Sequence, residues 1–362
     1  MMKWLLIGLL VVFLLLGSFL LTPSPIDSTA WDAPAPPALT GPLARNERLR
    51  LADLVARGQV SGPEDIAISG EGVVYTGTDN GRIVRVFPDG QVESWINTEG
   101  RPLGMAFDHQ GNLIVADADR GLLSVTPDGD LSVLAREAKG TLFRLTDGVD
   151  VAPDGRIYFT DASSRFPLSR YALDLLEMRP HGRLLRYTPR TGKTEVLLDN
   201  LHFPNGVVLS TDGDYLLVSE TWKYRILKYR LRGPGEGQAE VFASNLPGFP
   251  DNLGVDDEGR YWVAFPTLRN HQIDALHRWP WLKDLVAKLP ESLRPGTGNY
   301  GLVVAYDAGG EPVISLHDTR GTHLKMVTSV APHNGALYFG SLHNNRIGRL
   351  PFQAIPGLGE QL

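Results

Sequence analysis

The chain of 362 residues contains no cysteine. That excludes disulfides, thiolate catalysis and thiolate zinc sites together. It also lacks a basic stripe. Lys and Arg number 35 against 41 Asp and Glu, for a net charge of −6. Nothing is available to neutralise a phosphate backbone, so no nucleic-acid partner is expected. No Gly-x-Ser-x-Gly elbow, His-Glu-x-x-His pair or phosphate-binding glycine loop occurs. The nine histidines form no cluster: His109 falls in a hairpin turn, and His202, His317, His333 and His343 are scattered candidates for a channel mouth. Helical periodicity is scarce. With 39 Gly and 26 Pro, the composition is that of an all-β protein rich in turns. The length suffices for a large core that needs no covalent staples.

What is present is a repeat. One family of apolar strands starts at Val73 and recurs at 113–118, 157–162, 216–221, 262–267 and 337–342. A second family follows each member, at 81–86, 121–126, 182–187, 224–229, 301–306 and 345–350. Asp/Gly turns bound the strands, which is the pattern of antiparallel sheet. The unit is about 40 residues without insertions, the length of a four-stranded propeller blade. Six copies predict an all-β, six-bladed β-propeller. A large β-sandwich would not repeat one motif six times.

Two blades carry insertions, Ser163–Pro180 and Arg269–Gly298, which leave equivalent loops. In the second, Ile273, Leu276, Trp279, Trp281, Leu282, Leu285, Val286 and Leu289 recur at helical spacing. It is expected to form a helical lid over the channel mouth, or else a membrane-touching helix. At the N-terminus, Trp4–Leu21 is apolar and uncharged, long enough to span a bilayer as a helix. No small-x-small cleavage site follows, so an uncleaved signal anchor over residues 1–22 is expected rather than a signal peptide. Lys3 before the run and Asp27 and Asp32 after it predict a cytoplasmic N-terminus and a propeller on the non-cytoplasmic side. Residues 23–43 read as a Pro-rich linker too poor in apolar residues to pack. The propeller is then assigned to 44–362.

Oxygen-bearing side chains recur where the innermost strand of a blade should begin: Glu64-Asp65, Thr146-Asp147, Asn205 and Asp251-Asn252. These strand starts converge on a propeller's central channel. Carboxylates with amide oxygens and no thiolate suit a hard cation such as calcium. Any one of these residues alone would be an ordinary turn former; recurrence at equivalent positions is what singles them out.

The segments GPEDIA, YTGTDNGRIVR, RPLGMAFD, IVADADRGL, DGRIYFTDASS, GRLLRYTP, LHFPNGVVLS, LPGFPDN, RWPWLK, SLHD and HNGALYFGSL resemble the strictosidine-synthase-like six-bladed propellers. The resemblance runs from about Asn46 to the C-terminus and includes the anchor. More distantly the chain is similar to the paraoxonases and to the gluconolactonase/regucalcin group, which share the propeller and a channel calcium. The resemblance implies Glu64, Asn205, Asp251 and Asn252 as calcium ligands. It places Thr146 where the family has an asparagine, with Asp147 as the aspartate after it. The paraoxonase likeness further implies a second, structural cation held by Asp65 and Asp147. Two departures bear on function: the paraoxonase catalytic histidine falls on Leu103, and the glutamate of true strictosidine synthases falls on Thr328.

The expected function is therefore a membrane-anchored, calcium-dependent hydrolase of small esters or lactones, arylesterase- or lactonase-like, with Asp251 as the base. The alternative is a non-catalytic, membrane-tethered binding propeller with structural calcium. A condensing synthase is disfavoured by Thr328.

Overall fold

The computed structural model describes residues 2–296 and 298–358, without the side chains of residues 8, 10–12, 15 and 16. The chain divides into two compact units: residues 34–169, 180–269 and 297–362 form the larger, and residues 1–33, 170–179 and 270–296 the smaller.

The larger unit is the predicted six-bladed propeller. Each blade is a four-stranded antiparallel sheet. The innermost strands are Ile66–Ile68, Pro102–Phe107, Thr146–Val151, Pro204–Leu209, Leu253–Val255 and Val327–His333. The strand families read from the repeat are the second and third strands of each blade. They are the most deeply buried: Leu113–Asp117, Ile157–Asp161 and Tyr261–Phe265 are buried at every position. Strands covered on both faces need no polar alternation, which is why they read as continuous apolar runs. Two of the fourth strands, Val92–Asn97 and Leu131–Ala135, have no buried residue, whereas that of blade five is buried from Ile314 to Asp318.

Closure of the ring was not legible in the repeat. The sixth blade takes its outermost strand from the other end of the domain: Asp53–Val55 pairs with Ile347–Arg349, antiparallel. This covers an edge that would otherwise expose unpaired N–H and C=O groups.

Carboxylates also staple the blades. At the end of the second strand, Asp117 Oδ1 accepts the Arg101 N–H at 3.1 Å, Asp161 Oδ1 those of Arg144 and Leu145 at 3.2 Å, and Glu220 Oε1 that of His202 at 2.8 Å. Arg183 pairs with Asp161 at 2.5 Å and Arg225 with Glu220 at 2.5 Å. Three buried acids that read as strand residues thus satisfy loop N–H groups that would otherwise be orphaned.

Glycine lets the innermost strands touch backbone to backbone. A Cβ at Gly104 would lie 2.4 Å from Asp147 O, one at Gly148 2.6 Å from Asn205 O, and one at Gly206 2.5 Å from Asn252 Cα. Gly206→Ala must push two blades apart. The expected cost is about 1–3 kcal/mol, measured by chemical unfolding; unchanged stability would show that these strands are not in backbone contact.

The smaller unit holds α1 (Met2–Leu21), the segment Pro23–Ala33 and three short helices from the two insertions: α2 (Tyr171–Glu177), α3 (His271–Leu276) and α4 (Pro280–Ala287). Helices of 6–8 residues do not stand alone. Here the N-terminal segment ties them together. Asp27 N–H donates to Glu177 Oε1 at 2.7 Å, Thr29 N–H to Glu177 O at 2.9 Å, and Trp31 N–H to His277 O at 3.0 Å. Lys283, fully buried, donates to Thr29 O at 2.6 Å. Residues 23–33, expected to be too poor in apolar residues to pack, are thus packed in part. Ile26 is buried, and the main-chain N–H groups of Asp27, Thr29 and Trp31 are all hydrogen-bonded in this cluster. The predicted helical stripe breaks at Pro280: Ile273 and Leu276 are buried, whereas Trp279 and Trp281 are more than half exposed.

α1 is 20 residues long and carries the apolar run. Among the described residues, no helix is long and apolar enough to cross a membrane. The expected span, Trp4–Leu21, falls partly on side chains outside the described residues.

Candidate metal centre at one end of the propeller channel

All the predicted ligands lie at one end of the innermost strands, and all are buried: Glu64 2%, Thr146 0%, Asp147 3%, Asn205 6%, Asp251 6% and Asn252 6% exposed. Asn252 Nδ2 donates to Glu64 Oε1 at 2.9 Å. The Asn205 side chain lowers the proton affinity of the Asp251 carboxyl. The Thr328 hydroxyl donates to Glu64 O at 2.8 Å, and Asn252 N–H to Thr328 O at 3.0 Å. Thr328, where the resemblance expects a glutamate, is thus a structural tie between blades six and one.

Strand register shows which channel positions are equivalent. Pro102, Thr146 and Pro204 pair with Asp117, Asp161 and Glu220, and each strand then bulges before pairing resumes at Met105, Val149 and Val207. The residue equivalent to Asn205 is therefore Asp147, not Thr146, and in blade two it is Leu103. The bulge also cancels the simple alternation that would turn Asp147 away from the site. Its charge acts on both Glu64 and Asp251.

Burial first, then Asp251, Asp147 and Asp65, push the Glu64 carboxyl well above its usual range, with Arg101 opposing. Burial, then Asp147, does the same to Asp251. Asp147 is pushed up to about 8 by burial and then by Asp65 and Asp161. Like charges crowded out of water cannot all ionise unless a cation joins them.

Four oxygens in this cluster have no hydrogen-bond partner: Glu64 Oε2, Thr146 Oγ1, Asn205 Oδ1 and Asp251 Oδ1. They come from four different blades. Each unsatisfied buried polar atom costs on the order of 1–3 kcal/mol. All four are oxygens, hard donors of the kind a calcium ion takes. Among the described residues, no group of three or more His, Asp or Glu is arranged to hold a metal by itself. The convergent set is mixed instead, two carboxylates with one amide and one hydroxyl oxygen.

Below this cluster the channel holds a cavity of about 290 Å³ lined by all six innermost strands, among them Asp65, Met105, Asp150, Val207, Leu253 and Val330. Asp65 Oδ2 accepts Met105 N–H at 2.9 Å and Asp150 Oδ2 accepts Leu209 N–H at 2.7 Å. Burial raises both carboxyls to about 6. Asp150 escaped the sequence reading, because an Asp within an alternating strand looks like a solvent-facing position. Leu103 is 2% exposed and brings no titratable group. Of the scattered histidines, His202 is held by Glu220, Nδ1 to Oε1 at 3.1 Å, and His317 lies buried between Tyr300 and Ser315 at 2.8 Å from each.

Comparisons with known proteins agree with this architecture. The sequence profile described as "Strictosidine synthase" matches residues 147–234, and "Strictosidine synthase-like, N-terminal" matches residues 41–86. Protein strictosidine synthase-like 7 of Arabidopsis thaliana is 37% identical over 337 residues, covering 89% of this chain and 87% of that protein. The adipocyte plasma membrane-associated protein of Homo sapiens is 37% identical over 365 residues, covering 94% of this chain and 87% of that protein. Among solved structures, a gluconolactonase from Xanthomonas campestris superposes with a TM-score of 0.61 at 21% identity, covering 91% of this chain and 99% of its own. A calcium-binding regucalcin from Agrobacterium tumefaciens gives 0.59 at 16%, covering 83% and 93%. These last two share the fold. The identity to the first two, over nearly the whole length, decides the family: the chain belongs to the strictosidine-synthase-like six-bladed propellers.

Proposed function

We propose that this chain is a membrane-anchored, calcium-dependent hydrolase of esters or lactones. The observation that carries the reading is the set of four partnerless buried oxygens from four blades at one channel end. Glu64, Asn205, Asp251 and Thr146 would hold the ion, with Asn252 orienting Glu64 through its 2.9 Å hydrogen bond. Calcium, when bound, would polarise a carbonyl and stabilise the developing oxyanion. The Asp251 carboxylate would also serve as the base, taking a proton from the attacking water. Asp147 and Asp65 are assigned to a second, structural cation.

The deciding experiment is hydrolysis of a panel of phenyl esters and lactones with and without calcium. Turnover that needs calcium supports the reading. A second reading, a non-catalytic propeller with structural calcium, is favoured by Leu103, an apolar residue at a channel position where blades three and four place Asp147 and Asn205. Calcium binding with no turnover across the panel would select it.

Thr146→Asn offers a carbonyl oxygen in place of a hydroxyl. Calorimetry should show calcium binding about three- to tenfold tighter, with the stability of the calcium-free protein unchanged. Weaker binding would remove Thr146 from the ligand set.

The anchor belongs to the same proposal. Trp4, Leu5 and Phe13 on α1 are largely exposed, and an apolar helix surface of that kind requires a non-aqueous partner. The protein should stay in the membrane fraction through a carbonate wash, with residues beyond Pro42 open to protease only from the non-cytoplasmic side. Recovery of a soluble form beginning near Thr29 or Asp32 would indicate cleavage instead.

A further inference from the structure

In the smaller unit, α4 has its two faces exchanged. Lys283 and Ala287 lie one turn apart, and both are buried, Lys283 completely. Trp281 and Leu285 stand two residues either side of Lys283, about 200° of helical rotation away. Trp281 is 61% exposed, and Leu285 is half-buried, as are Leu282 and Leu289. A helix facing water does the reverse: it buries its apolar stripe and leaves its lysine outside. Here the N-terminal segment fixes the inverted orientation. Lys283 donates to Thr29 O at 2.6 Å, and the Ser28 hydroxyl donates to Asp284 Oδ1 at 2.8 Å. Two more side chains extend the outer face: Trp279 before α4 is 55% exposed, and Leu293 after it 66%. Apolar exposure concentrated in one short stretch marks an interaction surface.

The same helix is fixed to α1. Lys288, just past the C-terminal end of α4, donates from Nζ to Phe19 O at 3.3 Å and to Leu20 O at 3.2 Å. These carbonyls belong to the last turn of α1, where no intrahelical donor is left for them. Leu20 and Leu21, which end α1, are themselves 53% and 86% exposed. The exposed apolar surface of α1 therefore meets α4 at its C-terminal end. Tryptophan is the side chain enriched where a bilayer meets water, and a lysine near the end of an apolar helix keeps its ammonium at that level.

We propose that the outer face of α4, with Trp279, Trp281, Leu285 and Leu293, is seated in the interfacial layer of the lipid bilayer that α1 enters. The second insertion is then a monotopic contact beside the anchor. The inference rests on the anchor reading, which supplies the bilayer, and not on hydrolysis. The face should lie about 5–10 Å into the boundary between headgroups and acyl chains. A single span leaves whatever follows it free to swing; a second contact holds the smaller unit against the lipid surface.

The chain has no cysteine, so one introduced cysteine carries one label. The test places the full chain in phosphatidylcholine vesicles with a fluorophore at Trp281→Cys, Leu293→Cys, Phe13→Cys or Val241→Cys. All four side chains are exposed, where substitution costs little stability. Val241, on a propeller strand, is the aqueous reference. Labels at 281 and 293 should be quenched several-fold more by a nitroxide high on the acyl chain than by a nickel chelate in water, and the label at 241 the reverse. The label at 13 should respond to a nitroxide near the bilayer centre. If nickel quenches 281 and 293 as strongly as 241 while 13 stays deep, the contact is overturned and the anchor stands. Shallow lipid quenching at 281 and 293 with none at 13 from the bilayer centre would support the contact and sink the span. Labels at 281 and 293 shielded from both quenchers would put a protein, such as a second copy of the chain, on this face and overturn the contact. Equal lipid quenching at 241 would mean non-specific adsorption and overturn it as well.

Discussion

Replacing Asp251 with alanine is expected to abolish both calcium binding and hydrolysis. Asp251 Oδ1 is one of the four partnerless oxygens, and its carboxyl is 6% exposed. Removing it takes away one of the two carboxylates among the four partnerless oxygens. Calcium affinity should fall at least about a hundredfold. Loss of the base should lower kcat by about 10²–10⁴-fold at saturating calcium. Asp251→Asn separates the two roles. It keeps an oxygen for the ion and the shape of the side chain, but cannot accept the proton, so it should bind calcium weakly and turn over no better than the alanine variant. The fold should survive both changes, because in the calcium-free protein the substitution relieves a crowded carboxylate. Glu64→Gln provides the independent check on the metal. Calcium affinity unchanged in both Asp251→Ala and Glu64→Gln would mean that no cation binds at this end of the channel, and the proposed hydrolase would go with it.

The second large effect concerns pH. Asp65, Asp150 and Asp161 are raised to about 6 and Asp147 to about 8, in each case chiefly by burial. Unfolded aspartate titrates near 4. Between about pH 4 and 8 the folded protein therefore holds protons that the unfolded chain has lost. Stability of the calcium-free protein must fall as pH rises through that window, since ionising these groups inside the fold is the costly step. Calcium reverses the sign at its own ligands, because it binds the deprotonated form. The expected result is a calcium-free melting temperature several degrees lower at pH 8 than at pH 5, and a stabilisation by calcium that grows over the same range. Calcium binding should also release protons, seen as a binding enthalpy that changes with the ionisation heat of the buffer. A calcium-free protein that becomes more stable between pH 5 and pH 8 would contradict the crowded-carboxylate description of the channel.

Much of the larger unit could be read from the amino-acid sequence. The second and third strands of each blade are covered on both faces, so they appear as unbroken apolar runs such as LIVADA and WVAFPT. Six such pairs at one period leave few architectures. The gathering of Asn205 and Asp251 was legible for a related reason: both follow the same Phe-Pro dipeptide in consecutive blades, and a repeat carries each residue to the same place in space. Even the deeper insertion announced its helices, since apolar side chains at three- and four-residue spacing have one physical reading.

Three matters were decided only in three dimensions. The strand that completes blade six comes from Asp53–Val55; its partner is some 290 positions away, and no local pattern says which edge a short strand will cover. The bulge between Thr146 and Val149 recurs between Pro204 and Val207, so Asp147 and Asn205 occupy equivalent positions at the channel. A bulge inserts one residue into the alternation and so reassigns every neighbour, yet it leaves no mark in composition. Arg101 looked like one of many surface arginines, and only the packing of blade two against Gly62 shows it buried with an unused donor. The sequence determined which residues could become strands and which side chains carried hard oxygens, because those follow from local chemistry and period. The tertiary structure decided which of those groups lost water without gaining a partner, because that depends on neighbours the chain brings together only when it closes on itself.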